Sequence, residues 1–136
     1  MSNSKISKAE IKAQIEKKLL SMLGFAAKAG KIISGVDRSC DEVRRHGMPS
    51  EDGQGLSSCG IVLLSCNASD NTVKRVTNAC KYYRVELVKT TLTTDSMASI
   101  IGKASSAACA TFDRSFSDGI RKALSLNGTL PYYSVN

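Results

Sequence analysis

The sequence predicts an α/β protein, a three-layer α/β/α sandwich on a four-stranded sheet that is mixed or largely parallel. Three observations carry that expectation. Apolar residues recur every three or four positions in five separate stretches, each preceded by a Ser, Thr or Gly suited to a helix start. Four short runs, β-branched or continuously apolar, lie between them. The two kinds of segment alternate along the chain, and helices connecting the strands of one sheet come to cover both of its faces. At 136 residues, 42% of them hydrophobic, the chain has the size of one domain and the material for a core.

Ser7 to Glu10 has the Ser-x-x-Glu form of a capping box, so a helix should follow. Ile11, Ile15, Leu19, Leu23 and Ala26 form its apolar stripe, with Lys12, Lys17, Lys18 and Lys28 mainly off it and Gly30 as its stop. Lys31 to Ser34 reads as a strand entering a turn at Gly35. A second helix follows, with Val36, Cys40 and Val43 inward and an end near Gly47. Residues 48–58, rich in Gly, Ser, Pro and acid, read as a surface loop. Gly60 to Ser65 is apolar throughout, as expected of a central strand covered on both faces.

Ser69 can cap a third helix whose Val73, Val76, Cys80 and Tyr83 point inward, while Lys74, Arg75, Lys81 and Arg84 lie largely outside. Val85 to Lys89 is the next strand. Thr93 or Thr94, with Asp95, opens a short helix bearing Met97, Ile100 and Ile101 and closed by Gly102. Ala107 to Phe112 is the fourth strand. Ser115 can cap a last helix with Phe116, Ile120, Ala123 and Leu124 inward, before Gly128 and Pro131 break the pattern.

Nineteen Lys and Arg oppose twelve Asp and Glu, for a net charge of +7, and the excess is regional. The first 31 residues carry seven bases and two acids, and residues 70–89 carry five bases and two acids. Such a bias suits a polyanion, above all nucleic acid, through release of counterions from phosphates; by itself it fits simple solubility equally well. No apolar stretch approaches the ~20 residues that span a bilayer, and the N-terminus lacks a secretion signal, so a cytoplasmic protein without membrane contact is expected. The five cysteines form no CxxC pair. Cys59 and Cys66 flank a strand and stand about 23 Å apart at ~3.3 Å per residue, too far to share a metal. All five read as small core hydrophobes.

Catalytic chemistry finds no support. His46 is the single histidine. It lies six residues from Cys40 on one helix, so the two side chains diverge by about 120°; a helix-end or surface role suits it. Gly24 to Lys31 spaces its glycines one residue too widely for a phosphate-binding loop and has Ile32 where a hydroxyl is needed. Gly102-Lys103 lacks the upstream glycine as well. Asp41 and Glu42 are adjacent on a helix and diverge, leaving no paired carboxylates. No enzyme, cofactor or metal is expected.

Three blocks in order, KKLLSMLGFAAKAGKIISG, GIVLLSCNASDNTVKRVTNACKYYRVELVK and DSMASIIGKASSAACATFDRSF, together resemble the ribosomal L-seven-Ae and L-thirty-e superfamily, in particular its small bacterial YlxQ-type members. The resemblance runs from Lys17 to about Leu124. It implies an α/β/α sandwich that binds structured RNA, many relatives recognising kink-turns with tandem sheared G·A pairs. It also implies two RNA-reading blocks, Gly35-Val36-Asp37-Arg38 at the start of the second helix and Lys103-Ala104-Ser105-Ser106 after Gly102, with Lys28 and Lys31 adding positioning charge. Better-known relatives commonly have Asn then Glu where this chain has Asp37 and Arg38, and a base where it has Asp41. Two acids beside a phosphate backbone should weaken binding through repulsion partly screened by salt.

The resulting expectation is a basic helical extension over 1–16, an RNA-binding domain over 17–126 with residues 48–58 as a loop insertion, and a tail over 127–136. The function expected is that of a monomeric, non-catalytic binder of kink-turn-like RNA, ribosomal RNA included. Two other readings stay open: a protein-interaction module of the same fold, and an accessory of an RNA-modifying enzyme. Each residue also has a plain structural reading, Gly35 as a turn glycine, Lys28 and Lys31 as solvated charges, and Asp37 as an acid at a helix start.

Overall fold

The computed structural model describes residues 7–49, 55–102 and 107–125. Helix α1 (Lys8–Lys28) leads to β1 (Ile33–Ser34) and α2 (Val36–His46), then β2 (Ile61–Leu64), α3 (Asp70–Tyr83) and β3 (Glu86–Lys89). Helix α4 (Thr94–Ile101), strand β4 (Ala108–Thr111) and helix α5 (Arg114–Leu124) complete the order. The sheet runs β1-β4-β2-β3. Strands β2 and β3 are parallel, while β4 is antiparallel to both its neighbours, which makes the sheet mixed.

The period of two along the strands divides the core into two halves. Ile61 and Leu63 of β2, with Cys109 of β4 and Val88 of β3, face Ile15, Leu19 and Leu23 of α1, Met97 of α4, and Ile120 and Leu124 of α5. Val62 and Leu64, with Ala108, Ala110 and Leu87, face Cys40 and Val43 of α2 and Val76 and Cys80 of α3. Helix α1 packs against α5 and α4, and α2 against α3, on opposite sides of the sheet. These are the three layers read from the alternation of segments. The central position expected for Gly60 to Ser65 holds as well, because all four residues of β2 are buried between β4 and β3.

Helix starts follow side-chain chemistry. Ser7 and Glu10 form the capping box, Ser69 accepts from the Thr72 amide, and Thr93, rather than Thr94, accepts from the Ser96 amide. The last helix departs from expectation: Asp113 is its cap, accepting from the Phe116 amide at 3.0 Å, and Ser115 is already in the first turn. A carboxylate two residues upstream reaches the free amides first. Gly30, at φ 72°, turns the chain after α1, and that helix crosses residue 17 without a break, placing Ile15 in the core.

Other departures are local. Only Ile33 and Ser34 of the expected 31–34 strand pair with β4. Val73, Tyr83 and Phe116 are half-buried. Ile100 is exposed, because the two-turn α4 can direct only Met97 and its i+4 neighbour Ile101 toward the sheet. Cys40, Cys80 and Cys109 are core residues as expected, whereas Cys59 is half-buried and Cys66 exposed, each lying just beyond an end of β2.

Residues 50–54 of the expected surface loop lie outside the described residues, as do the tail 127–136 and its tyrosines. The flanks of that loop are tied down. Ser57 Oγ accepts from the Met48 amide at 2.8 Å and donates to the Tyr83 carbonyl at 2.6 Å, and Arg84 Nε donates to the Met48 carbonyl at 3.0 Å. Arg121 fastens the layer above: its Nε meets Glu86 at 2.7 Å and its Nη2 donates to the carbonyls of Cys59 and Gly60.

Leu63 is 1% exposed at the centre of one core half. Leu63→Ala should lower unfolding free energy by about 3 kcal/mol, through lost transfer energy and an unfilled cavity. Urea denaturation should show a lower midpoint at an unchanged slope.

Candidate nucleic-acid interface

Because β1, β2 and β3 share one direction and β4 opposes it, their C-terminal ends and the start of β4 lie at one end of the sheet. The N-termini of α2, α3 and α4 follow directly from those strand ends. In open α/β sheets that end is where ligands bind.

Gly35 adopts φ 102° and ψ 153°, a region that disfavours a side chain, and its amide donates to the Ala108 carbonyl at 2.9 Å. It leads into α2 without a side-chain cap, whereas Ser7, Ser69, Thr93 and Asp113 each cap their own helix. The first amides of α2 are thus claimed by no capping side chain, and they add to the positive end of the helix dipole. Val36 is half-buried against the core half on the α2–α3 side, while Asp37 and Arg38 are exposed. Lys28, in the last turn of α1, and Lys31, ahead of β1, are exposed as well.

The second expected block, Lys103, Ala104, Ser105 and Ser106, lies outside the described residues. Its flanks are placed. Gly102 ends α4 in the left-handed region at φ 83°. On the far side, the Ala107 carbonyl accepts from the Ser65 amide at 2.9 Å and the Ala108 carbonyl accepts from Gly35. Ala107 and Ala108 therefore lie directly beside the first block.

Arg75 is the residue that sequence reasoning missed. From α3 its Nη1 reaches Asp37 Oδ1 on α2 at 2.5 Å, and this hydrogen bond, reinforced by the carboxylate charge, raises the Arg75 pKa. Asp41 is paired in turn with Arg44 one helical turn on. Both acids expected to repel phosphate thus carry a guanidinium partner. Arg38 pairs with no acid among the described residues. Arg75 was legible only as an outward base on its helix; the approach of α3 to α2 is a tertiary fact.

A polar lattice joins the neighbouring turns. Asn67 Oδ1 accepts from both the amide and the hydroxyl of Thr94 at 2.9 Å, and Ser65 Oγ meets Thr94 Oγ1 at 3.0 Å. Thr90 Oγ1 donates to the Leu64 carbonyl at 2.8 Å. The run Thr90-Thr91-Leu92-Thr93-Thr94 was the available signal for this lattice.

No family model matches the chain. It is 37% identical over 68 residues to "RNA-binding protein YlxQ" from Bacillus subtilis (strain 168), a match covering 50% of this chain and 57% of that protein. Among solved structures, a protein of unknown function from Bacillus halodurans aligns at a TM-score of 0.63 and 24% identity, covering 79% of this chain and 96% of that one. The "Giardia lamblia 15.5kD RNA binding protein" aligns at 0.57 and 12% identity, covering 81% and 84%. These structural likenesses establish the shared fold. The resemblance to YlxQ-type proteins read from the sequence is met by that 68-residue match, which spans little more than half of the relative's length.

The histidine stays apart from this end of the sheet, whereas the exposed thiol of Cys66, just beyond the C-terminal end of β2, lies at it. His46 stacks on Phe112 with ring centroids 4.3 Å apart, and its Nε2 meets Glu42 at 3.2 Å, so it makes a helix-end and surface contact as expected. Among the described residues no group of three or more His, Cys, Asp or Glu is arranged to hold a metal, and no helix is long and apolar enough to cross a membrane. Burial pushes the thiols of Cys80 and Cys109 up to about 12 and raises that of Cys40.

A disulfide exchange reagent at about pH 8 should therefore label Cys66 rapidly and Cys59 more slowly. Cys40, Cys80 and Cys109 should react only on unfolding, a difference read by mass spectrometry with and without denaturant. The unfolded chain releases the Cys80 and Cys109 protons near 9 and the folded protein retains them to about 12, so stability should fall as pH rises across that window.

Proposed function

We propose that this chain is a non-catalytic RNA-binding protein, acting as a monomer, whose RNA-facing surface is the end of the sheet around Gly35 and the segment between Gly102 and Ala107. The observation that carries the reading is the uncapped N-terminus of α2, entered through Gly35 and flanked by the exposed side chains of Arg38 and Lys31. Free amides at a helix start suit a phosphate, and a glycine there admits close approach of the RNA backbone. Arg38 can donate two hydrogen bonds to a guanine edge or clamp a phosphate. The similarity to a protein named as RNA-binding, and the overall net charge of +7, support the same class of partner.

The RNA we assign to this surface is a structured, kink-turn-like element, with ribosomal RNA as one source. Lys28, Lys31, Gly35, Val36, Asp37 and Arg38 would form one side of the contact and Lys103, Ala104, Ser105 and Ser106 the other. The Asp37–Arg75 pair supports this assignment despite the acids, because it offsets the carboxylate charge while leaving Asp37 an acceptor for a guanine amino group. Both partners are exposed, so the pair acts on local charge more than on stability.

The test is a titration against a short kink-turn RNA and a control with its G·A pairs replaced, each at two salt concentrations. Tighter binding to the intact turn is expected. Equal, strongly salt-dependent binding to both would leave a general basic RNA binder, and no binding would overturn the reading. Arg38→Ala combined with Lys31→Ala should weaken binding about tenfold or more and reduce the slope of log affinity against log salt by about two, one for each lost phosphate contact. Arg75→Ala should also weaken binding, since it leaves Asp37 uncompensated.

A further inference from the structure

On the opposite layer of the sandwich, Phe25 of α1 is 60% exposed and stands between two shallow grooves. One, about 590 Å3, lies between α1 and α5 and is lined in its apolar part by Met22, Gly119 and Ala123. The other, about 480 Å3, lies between α1 and α4 along Leu20, Gly24 and Ile100. Gly119 lies directly against Met22, whose flexible side-chain end, Cε, stands 2.9 Å from where a Cβ would be. A single exposed apolar residue on a protein surface needs no explanation. Here an aromatic ring, an exposed isoleucine and two apolar-lined grooves are contiguous.

The charge around them has one sign. Lys17 borders both grooves, Lys18 and Lys122 the first, and Lys28 the second, while no carboxylate lines either. Glu16, the nearest acid along the helix, is engaged by the hydroxyl of Thr91. We propose that this face of α1 is a docking surface for an acidic amphipathic segment of a partner protein, with Phe25 as its central anchor. A helical segment carrying apolar side chains at three- and four-residue spacing would fill the grooves on both sides of Phe25, and its acids would meet the lysines at the rim. A second copy docking through the same face would set lysine against lysine. RNA would satisfy the lysines yet leave Met22, Leu20 and Ile100 without apolar partners.

This inference stands independently of the RNA reading, since the face lies on the α1–α4–α5 side of the sheet. Lys28 alone belongs to both surfaces, so the test leaves it unchanged. Phe25 is replaced by the photo-cross-linker p-benzoylphenylalanine in the full chain, in the cells that make it, with Tyr82 on α3, 62% exposed, replaced likewise as the control. The expected result is a protein adduct specific to position 25, mapped by mass spectrometry to a segment with surplus Asp and Glu and regularly spaced apolar residues. A synthetic peptide of that segment should bind the purified protein, and Phe25→Ala should weaken it about tenfold. Lys17→Ala with Lys122→Ala should weaken it more at low salt than at high salt. Adducts no more abundant than at position 82, adducts to RNA or to a second copy, a segment without an acidic surplus, or unchanged affinity after Phe25→Ala would each overturn the proposal.

Discussion

Everything at the candidate interface depends on the insertion of β4 between β1 and β2, antiparallel to both. Ala110 pairs with Ile33 on one side and Val62 on the other, and Cys109 with Ser34 and Leu63. The strand is built from small residues, Ala108, Cys109, Ala110 and Thr111, all buried, so helices from both layers can close on it. Its reversed direction brings Ala107 and Ala108 to the strand end from which α2 departs. The bond from the Gly35 amide to the Ala108 carbonyl is the point where the two meet.

That arrangement sets the start of α2 apart from the other helix starts. Four helices have their first amides satisfied by a serine, threonine or aspartate of their own, and α2 does not. The cost is small, because glycine is itself an acceptable cap and loses only a few tenths of a kcal/mol against the best residues. What is retained is a positive, sterically open helix end. The arginines of α2 and α3 complete it by offsetting Asp37 and Asp41, so the local field is less negative than the residues of the second helix alone imply.

Helix α1 divides its surface in a similar way. Ile15, Leu19, Leu23 and Ala26 are buried and hold α4 and α5 to the sheet. The opposite side carries Phe25 among lysines. No requirement of the fold asks for an exposed phenyl ring there, and its removal from water would need a partner that the described chain does not itself supply.

Fold class was legible in the residues because it follows from local periodicities: 3.6 for the helices, two for the strands, and the capping chemistry of Ser7, Ser69 and Thr93. The first helix, the buried central strand and the alternation of layers all follow from near neighbours in the chain. Errors fell where two local signals competed, as between Asp113 and Ser115, or where a helix was too short to bury every apolar side chain, as at Ile100. The Asp37–Arg75 pair, the meeting of Gly35 with Ala108, and the grooves on either side of Phe25 were decided by tertiary structure alone. Each joins residues from separate elements, and such separations come from how helices and strands pack, which a pattern of period two or 3.6 does not encode.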